Sequence, residues 1–343
     1  MPQRLIREKG GSSLDLPLFS AAFAALAVAL YVMLDGFDLG VGALLLREPD
    51  ENLRDQIIDS IMPMWDGNET WLVMTGVALL AAFPAAYSIL MPAFYLPIIV
   101  MVLSLGLRGV SFDFRSQAVG QWPRFWDIAF SLGSIVAASM QGLILGGLLQ
   151  GVTITGHEFS GSVFDTFRPF PILTAVAVLA GYIVLGSGWL HLKGTAAVRA
   201  LAERSLRHVT PIFVGLAIAT CIAAALVQPG VKAAWVAHPA PLIMIALLFF
   251  AASVTLMTAI GGQSDILPLL LALLQFALGI AGTVLVIFPD IVPFRLTLWD
   301  ASSSAVSQIC LLTGAIVVTP VILAYSAFAY RVFRGKTPEK GWE

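Results

Sequence analysis

The chain has 343 residues, of which 58% are hydrophobic and 12% charged, and its mean hydropathy is +0.89. Soluble domains are roughly half apolar and about a quarter charged, so this composition indicates a polytopic α-helical membrane protein. Because 19 Lys and Arg residues face 21 Asp and Glu residues, the chain has no basic excess that would favour nucleic-acid binding. The two cysteines, Cys221 and Cys310, fit neither a metal motif nor a disulfide framework.

Apolar stretches of about 20 residues are long enough to cross a bilayer as helices. The first stretch is too long for a cleavable signal and lacks a small-x-small cleavage site, so we expect it to remain as the first span. No stretch outside the spans is long enough for a soluble domain. We predict a single all-α transmembrane domain over residues 1–343, with about nine helices at 16–46, 67–87, 90–111, 126–150, 170–191, 210–228, 240–260, 266–288 and 305–330.

Nine spans place the two termini on opposite sides of the membrane, and cytoplasmic loops are enriched in Lys and Arg. The side that carries the C-terminus has thirteen of these basic residues, and the other side has six. Three of those six, Arg4, Arg7 and Lys9, lie in the N-terminal tail and oppose this orientation for the first helix. Every later loop agrees with it, so we predict a periplasmic N-terminus and a cytoplasmic C-terminus.

The dipeptide Trp-Asp occurs at or just before the start of three predicted spans, at residues 65–66, 126–127 and 299–300. An Asp at a helix N-terminus accepts hydrogen bonds from free backbone N–H groups, while Trp favours the headgroup level. In MWDGNETW, residues 64–71, Asp66 and Glu69 also have the spacing of a capping box, with Asp66 as the N-cap. Helix capping by Asp66, Asp127 and Asp300 therefore explains the pattern without any functional role.

Two further carboxylates lie well inside the first apolar run, in LDGFDLGVG at residues 34–42. Asp35 and Asp38 are three residues apart, so they share one helix face, about 12 to 16 Å from the inner end of the span. Acids at this depth are costly in lipid and commonly face a partner, a cavity or a proton path. Asp66 and Glu69 lie at a similar depth on the same side, which favours a proton path, and a buried ion pair or hydrogen bond stays open as the alternative.

Other polar residues could complete such a site. FDFRS at residues 112–116 contributes Asp113 and Arg115, and Arg108 lies nearby after three apolar turns. These arginines could supply countercharges to the acids, or they could anchor the inner end of the third span. A haem held by this chain would need an axial ligand at membrane depth, and none of the histidines lies mid-span: His157, His191, His208 and His238.

An ordered set of segments resembles subunit II of the bacterial cytochrome bd-type quinol oxidases, including their cyanide-insensitive branch. The segments are LDGFDLGVG in the first span, PMWDGNETWLV and AAFPAAY at the two ends of the second, GVSFDFRS, GLLQGV, and LTLWDASSS before the last span. Asp66, with Asn68 and Trp71 beside it, matches the family position implicated where protons enter from the cytoplasm. Asp35 and Asp38 are further candidates for that route. Glu69 stands where some members have glutamine, so the resemblance does not require an acid there.

The resemblance implies a heterodimer in the bacterial inner membrane, in which this chain is the haem-free companion and scaffold of subunit I. Subunit I would carry two b-type haems and one d-type haem, oxidise quinol near the outer face and reduce oxygen to water. Such an enzyme is electrogenic without pumping, because quinol protons leave outside while the protons for water come from inside. The family also implies a quinone held as a structural, lipid-like component and leaves room for small single-span subunits.

Two other functions are compatible with acids at membrane depth. A proton-coupled secondary transporter uses such residues, but transporters commonly contain inverted repeats and interrupted spans in matching halves, and neither is detectable in this sequence. A purely structural subunit is the second alternative, with every acid acting as a cap or as a buried hydrogen-bond acceptor.

Overall fold

The computed structural model describes residues 15–156 and 158–338. Within these ranges the chain forms twelve α-helices, one 3-10 helix and two short hairpins. The helices are α1 (Leu16–Leu45), α2 (Glu51–Asp59), α3 (Trp65–Ala82), α4 (Pro84–Ala93), α5 (Tyr95–Ser116), α6 (Trp122–Gln150), α7 (Pro169–Lys193), α8 (Ala196–Val227), α9 (Pro229–Ala237), α10 (Pro239–Ala259), α11 (Leu267–Ile287) and α12 (Ala305–Val332). The 3-10 helix is Val163–Phe167, and the hairpins pair β1 (Ile154–Thr155) with β2 (Glu158–Phe159) and β3 (Asp290–Val292) with β4 (Leu296–Thr297).

Eight of these helices are long and apolar enough to cross a membrane: α1, α5, α6, α7, α8, α10, α11 and α12. Helix α3 joins the same two faces, because it runs alongside α12 from one end to the other. Near its start, the Tyr330 hydroxyl donates to Asn68, and at its end Ser303 N–H donates to the Ala82 carbonyl at 2.8 Å. The predicted bundle of about nine spans is thus confirmed, with α3 as the polar ninth member.

The second predicted span is shorter than expected. It stops at Ala82 instead of residue 87, because Phe83 leaves the helical conformation and Pro84 begins the separate helix α4. Proline has no backbone N–H and clashes with the preceding turn, so it starts a helix more readily than it continues one. Helices α2, α4 and α9 have only nine or ten residues and lie between the spans.

The loops lie on two opposite faces of the bundle. The described loops are divided between these faces in the way that the sequence predicts. On the face that carries the end of α12, here the C-terminal face, Lys193 Nζ donates to the carbonyls of Phe333 and Gly335. On the opposite, N-terminal face, Trp299 Nε1 donates to the Asp15 carboxylate at 3.1 Å. The basic residues Arg4, Arg7, Lys9 and Lys340 lie outside the described residues, and the assignment of the C-terminal face to the cytoplasm stays a prediction.

Helix α1 lies at the centre of the bundle against α3, α6 and α7. Every residue of α1 from Asp35 to Leu45 is buried. The close contact with α7 depends on glycine: a Cβ added at Gly40 would lie 1.7 Å from the Tyr182 carbonyl oxygen, and one at Gly36 would lie 2.6 Å from the Tyr182 ring. Small residues allow such backbone approach, so the acids of α1 are enclosed by neighbouring helices.

Candidate functional site

Arg108 forms the centre of a buried charged cluster between α1, α3 and α5. Its Nη2 atom donates to Asp35 Oδ1 at 2.6 Å and to Glu69 Oε2 at 2.9 Å. The side chains of Arg108 and Asp35 are completely buried, so their charges are removed from solvent together. A buried guanidinium needs carboxylate partners at such distances to offset its desolvation. Of the two alternatives left open for Arg108, this geometry favours the countercharge.

Asp38 lies on the same face of α1, one turn closer to the C-terminal face. Asn68 Nδ2 donates to Asp38 Oδ2 at 2.8 Å, and the Tyr330 hydroxyl donates to Asn68 Oδ1 at 3.1 Å. Asp38 and Asn68 are buried. The amide of Asn68 therefore links the acid of α1 to the last helix, α12.

Glu69 connects this buried cluster to the surface. Its side chain is 27% exposed while its Oε2 atom contacts the fully buried Arg108. Asp66, one turn earlier on α3, is exposed. Ionisable side chains are therefore found at successive depths, from the exposed start of α3 to the enclosed part of α1.

The capping box predicted for Asp66 and Glu69 is wrong. Helix α3 has Met64 as its N-cap and no side-chain cap, and Asp66 lies inside the first turn. The chain reaches α3 through a turn after α2, and both Met64 N–H and Trp65 N–H donate to the Ile61 carbonyl. Because backbone groups satisfy these donors, the Glu69 side chain is free to turn toward Arg108.

The N-cap interpretation is also wrong for the other two Trp-Asp pairs. Helix α6 begins at Trp122, so Asp127 lies inside the helix. Asp300 precedes α12 by several residues, Ser304 is the N-cap, and Asp300 accepts from the Thr297 hydroxyl at 2.6 Å. The pattern located the ends of spans without locating the capping residues.

Arg115 belongs to a second charged cluster and not to the one around Arg108. Its Nε atom donates to Asp127 Oδ1 at 2.5 Å and its Nη2 atom to Asp55 Oδ1 at 2.6 Å. Arg54 Nε donates to the other oxygen of Asp127 at 2.7 Å. Asp113 is exposed on the same face. This cluster ties α2 to α5 and α6, and Arg115 is therefore not a countercharge for Asp35.

Several polar atoms around Arg108 have no hydrogen-bond partner among the described residues. They are Asp35 Oδ2, Asp38 Oδ1, Trp71 Nε1, and Arg108 Nε and Nη1. Trp71 is fully buried and packs against Tyr31. Groups of this kind are commonly satisfied by buried water, so the cluster has unused capacity to bind water or a proton.

The described histidines do not approach this cluster. His191 is buried at the end of α7, where Nδ1 lies 3.1 Å from the Asp265 carbonyl oxygen and Nε2 lies 3.3 Å from Glu203 Oε1. His208 Nδ1 lies 2.7 Å from the Arg204 carbonyl oxygen of its own helix. His157 lies outside the described residues. His191 Nδ1 thus lies within hydrogen-bonding distance of a carbonyl oxygen, while Nε2 is close to Glu203 without making a hydrogen bond.

Four residues of the polar interior were not predicted from the sequence. Tyr330 contacts Asn68, and Tyr31, Gln141 and Tyr182 form a hydrogen-bonded chain. Each lies in a long, mainly apolar helix, and no recognisable motif surrounds it. The only signal is the four-residue spacing of Tyr31 and Asp35, which places them on one face of α1.

The fold and this site define a multi-pass α-helical membrane protein that holds an arginine and several carboxylates at membrane depth. Comparison with known proteins identifies the family: residues 16–333 match cytochrome bd terminal oxidase subunit II. The chain belongs to this family, as its sequence segments predict. It is accordingly a subunit of a respiratory oxidoreductase complex.

Curated relatives agree over almost their whole length. The chain is 30% identical to cytochrome bd-I ubiquinol oxidase subunit 2 of Escherichia coli, covering 91% of this chain and 93% of the relative. It is 25% identical to cytochrome bd ubiquinol oxidase subunit 2 of Bacillus subtilis, covering 90% and 93%. A chain of the bd oxidase from Geobacillus thermodenitrificans has the same fold, with a TM-score of 0.74 and 16% identity over 93% of this chain and 99% of that chain.

Proposed function

We propose that this chain is the haem-free companion of subunit I in a quinol:oxygen oxidoreductase of the bacterial inner membrane. It scaffolds subunit I and provides part of the route by which cytoplasmic protons reach the site of oxygen reduction. Family membership and the functions for which the relatives are named support the oxidase over a secondary transporter. Small single-span subunits and a structural quinone are compatible with this assembly, and no described residue is assigned to either.

The haems of the complex, two of b type and one of d type, are assigned to subunit I. The described residues of this chain offer no good alternative, because the buried His191 lies at the C-terminal end of α7, with Nδ1 3.1 Å from the Asp265 carbonyl oxygen and Nε2 3.3 Å from Glu203 Oε1. Methionines in the spans could ligate iron, but methionine in a helix is far more commonly a packing residue. In this proposal the chain supplies protons for the reaction at the haems and does not ligate their iron.

The observation that carries the proton-access role is the continuous placement of acids from the C-terminal face inward. Asp66 is exposed, Glu69 is part-exposed and binds Arg108, and Arg108 binds the buried Asp35. Asp38, one turn closer to the C-terminal face on the same side of α1, interacts with Asp35 and Arg108 and is the further acid of this route, with Asn68 as its partner. Acids in a low-dielectric interior that connect to one face are typical of proton routes.

The charge balance of the cluster also favours proton binding. One guanidinium faces Asp35 and Glu69 directly, and Asp38 interacts electrostatically with the same Arg108. Three ionised carboxylates would leave excess negative charge in a buried region, and neighbouring like charges resist ionising together. A proton taken up from the C-terminal face relieves this repulsion, and its onward release restores the cluster.

Asp66→Asn tests the proposal in the assembled oxidase. An amide can replace the carboxylate in hydrogen bonding but cannot exchange a proton, so we expect full haem content with oxygen consumption reduced at least about tenfold. Asp113→Asn is the matched control, because Asp113 is also an exposed acid on the same face. It should leave both haem content and turnover unchanged.

Haem content comes from the visible absorption spectrum and turnover from an oxygen electrode with quinol as the donor. Wild-type turnover in Asp66→Asn would contradict proton uptake at this position. Loss of haem together with activity would instead support the purely structural role for the start of α3.

A further inference from the structure

Three side chains joined by hydrogen bonds, Tyr31, Gln141 and Tyr182, adjoin the charged cluster. The Tyr182 hydroxyl donates to Gln141 Oε1 at 2.5 Å, and Gln141 Nε2 donates to the Tyr31 hydroxyl oxygen at 2.7 Å. The three residues come from α7, α6 and α1, and both tyrosines are buried. Because Asp35 follows Tyr31 by four residues, the chain ends beside the acid that binds Arg108.

In both of these hydrogen bonds the donor is the residue further from Asp35: Tyr182 donates to Gln141, and Gln141 donates to Tyr31. Since the Gln141 amide donates to the Tyr31 oxygen, the Tyr31 hydroxyl proton remains to be donated to another acceptor. Asp35 Oδ2 is a buried carboxylate oxygen without a hydrogen bond of ordinary geometry from the described residues, and the Tyr31 hydroxyl lies near enough to act on this carboxylate as a donor. Tyr31 and Asp35 also interact electrostatically. Buried carboxylate oxygens rarely stay without a donor, so the nearby phenol is the natural partner.

The groups around Asp35 show why a neutral donor matters there. On α1 itself it is faced by Asp38 and Tyr31, and the other helices contribute Arg108, Glu69 and Tyr182. Helix α12 brings Tyr330, which reaches Asp38 through Asn68. Arg108 is the cation of this set, and it is shared with Glu69. A hydroxyl that donates to Asp35 would therefore stabilise its ionised form beyond what the shared cation provides.

We propose that Tyr31 is a positioning residue for Asp35: oriented by Gln141 and Tyr182, its hydroxyl donates to the carboxylate and sets the pH range in which Asp35 exchanges protons. This inference rests on the proposed proton-access function, because it concerns an acid of the same route. The tyrosine does not itself carry the proton in this scheme. It acts by keeping Asp35 ionised until a proton arrives from the C-terminal face.

A graded set of variants tests this in the assembled oxidase. Tyr31→Phe removes the donor, so we expect the acid limb of the profile of oxygen consumption against pH to move upward by about one pH unit. Gln141→Met keeps the hydroxyl but removes its orientation, and Tyr182→Phe removes only the distal bond, so their shifts should be successively smaller. If Tyr31→Phe does not assemble with full haem content, these two variants carry the test.

Ser139→Ala is the control on α6. Its Oγ atom donates to the Ile135 carbonyl of the same helix at 2.7 Å and takes no part in the chain. We expect no change of the pH profile in this variant. An equal shift in Ser139→Ala, or no shift in the three chain variants, would show that polar groups of α6 and α7 serve packing alone.

Infrared spectroscopy separates this inference from the proton-access function. The C=O stretching band of protonated Asp35 is assigned by its loss in Asp35→Asn, and its appearance is followed as the pH is lowered. We expect the band to appear at higher pH in Tyr31→Phe than in the wild type. Equal onset in both, or no band that depends on Asp35, would overturn the inference. If the onset shifts while Asp35→Asn retains full turnover, the inference stands and the proposed proton route through Asp35 fails.

Discussion

Among single residues, Asp66 and Glu69 have roles that differ from those predicted by their spacing in the sequence. The capping-box pattern makes Glu69 a local partner of Asp66, whereas its carboxylate contacts Arg108 of another helix at 2.9 Å. Asp66 remains exposed near the C-terminal face. The two acids thus act in series in the proposed route, with Asp66 at the surface and Glu69 at the boundary of the buried cluster.

Arg108 is the residue whose loss should cost the assembly most. Arg108→Gln leaves Asp35 and Glu69 without their shared cation, and breaking a buried ion pair from one side costs about 3–5 kcal/mol. We expect a strongly reduced yield of the two-subunit complex and a lower melting temperature. Adding Asp35→Asn to Arg108→Gln removes the unpaired charge and should restore much of the yield. Yields measured by size-exclusion chromatography that are equal in the single and double variants would contradict this coupling.

At the scale of helices, the enclosure of the acids depends on the contact between α1 and α7. Gly40 has no room for a side chain, since a Cβ there would lie 1.7 Å from a backbone oxygen of α7. Backbone atoms cannot move aside as a flexible side chain can, so Gly40→Ala should separate the helices and lower the melting temperature of the complex. At Gly215 on α8 an added Cβ meets nothing within 4 Å. Gly215→Ala should therefore leave the melting temperature unchanged or slightly raised, and equal melting temperatures for the two variants would contradict this packing argument.

The positions of most helices could be predicted from the sequence, because the length of an apolar stretch determines where a chain can cross a bilayer. The predicted spans correspond to nine helices. The break at Pro84 was missed because the apolar run continues through it. Helix starts were missed at Trp65 and Trp122, where hydropathy does not distinguish the last loop residue from the first helical one.

The site was only partly predictable for a different reason. Asp35, Asp38 and Arg108 stand out because charges at membrane depth are rare, and the structure brings Asp35 and Arg108 into contact. Partners such as Tyr330 and Gln141 are long-range neighbours, and nothing local in the sequence marks them. The sequence left Arg115 open between a countercharge and an anchor of the span. It follows Arg108 by seven residues, so it lies on the same face of α5 but about 10 Å further along the axis, where it meets Asp127 and Asp55.

At the scale of the whole molecule, the segment 333–338 closes the C-terminal face by binding the end of α7. Thr337 N–H donates to the Lys193 carbonyl at 2.8 Å, and Lys336 Nζ lies 3.0 Å from Asp265 Oδ2. Hydrogen bonds from Lys336 and Arg199 hold the pKa of Asp265 below its ordinary value. These ion pairs therefore contribute fully above the ordinary pKa of an aspartate, and the contribution is lost as the pH falls through the lowered value.

Asp265→Asn should loosen this segment at neutral pH. We expect faster hydrogen exchange of the Thr337 amide than in the wild type, measured by mass spectrometry on peptides from 333–338. The difference should persist down to the ordinary aspartate pKa of about 4 and shrink below it, as the pH passes through the lowered pKa of Asp265 and the wild-type carboxylate also becomes protonated. Asp113→Asn serves as the control and should not alter the exchange. Identical exchange in Asp265→Asn and the wild type at neutral pH would show that Asp265 does not hold the segment.

The buried acids of α1 are proposed to pass protons inward from the C-terminal face, and Asp38→Asn probes this role. An asparagine oxygen can still accept from Asn68, so the fold and the haem content should be retained while proton exchange at this position is lost. The measurement is time-resolved proton uptake by the assembled oxidase in lipid vesicles, after oxygen is admitted to the reduced enzyme. If this role is correct, Asp38→Asn should have normal haem content, with proton uptake and oxygen consumption slowed at least about tenfold. Wild-type rates of both in Asp38→Asn would contradict it.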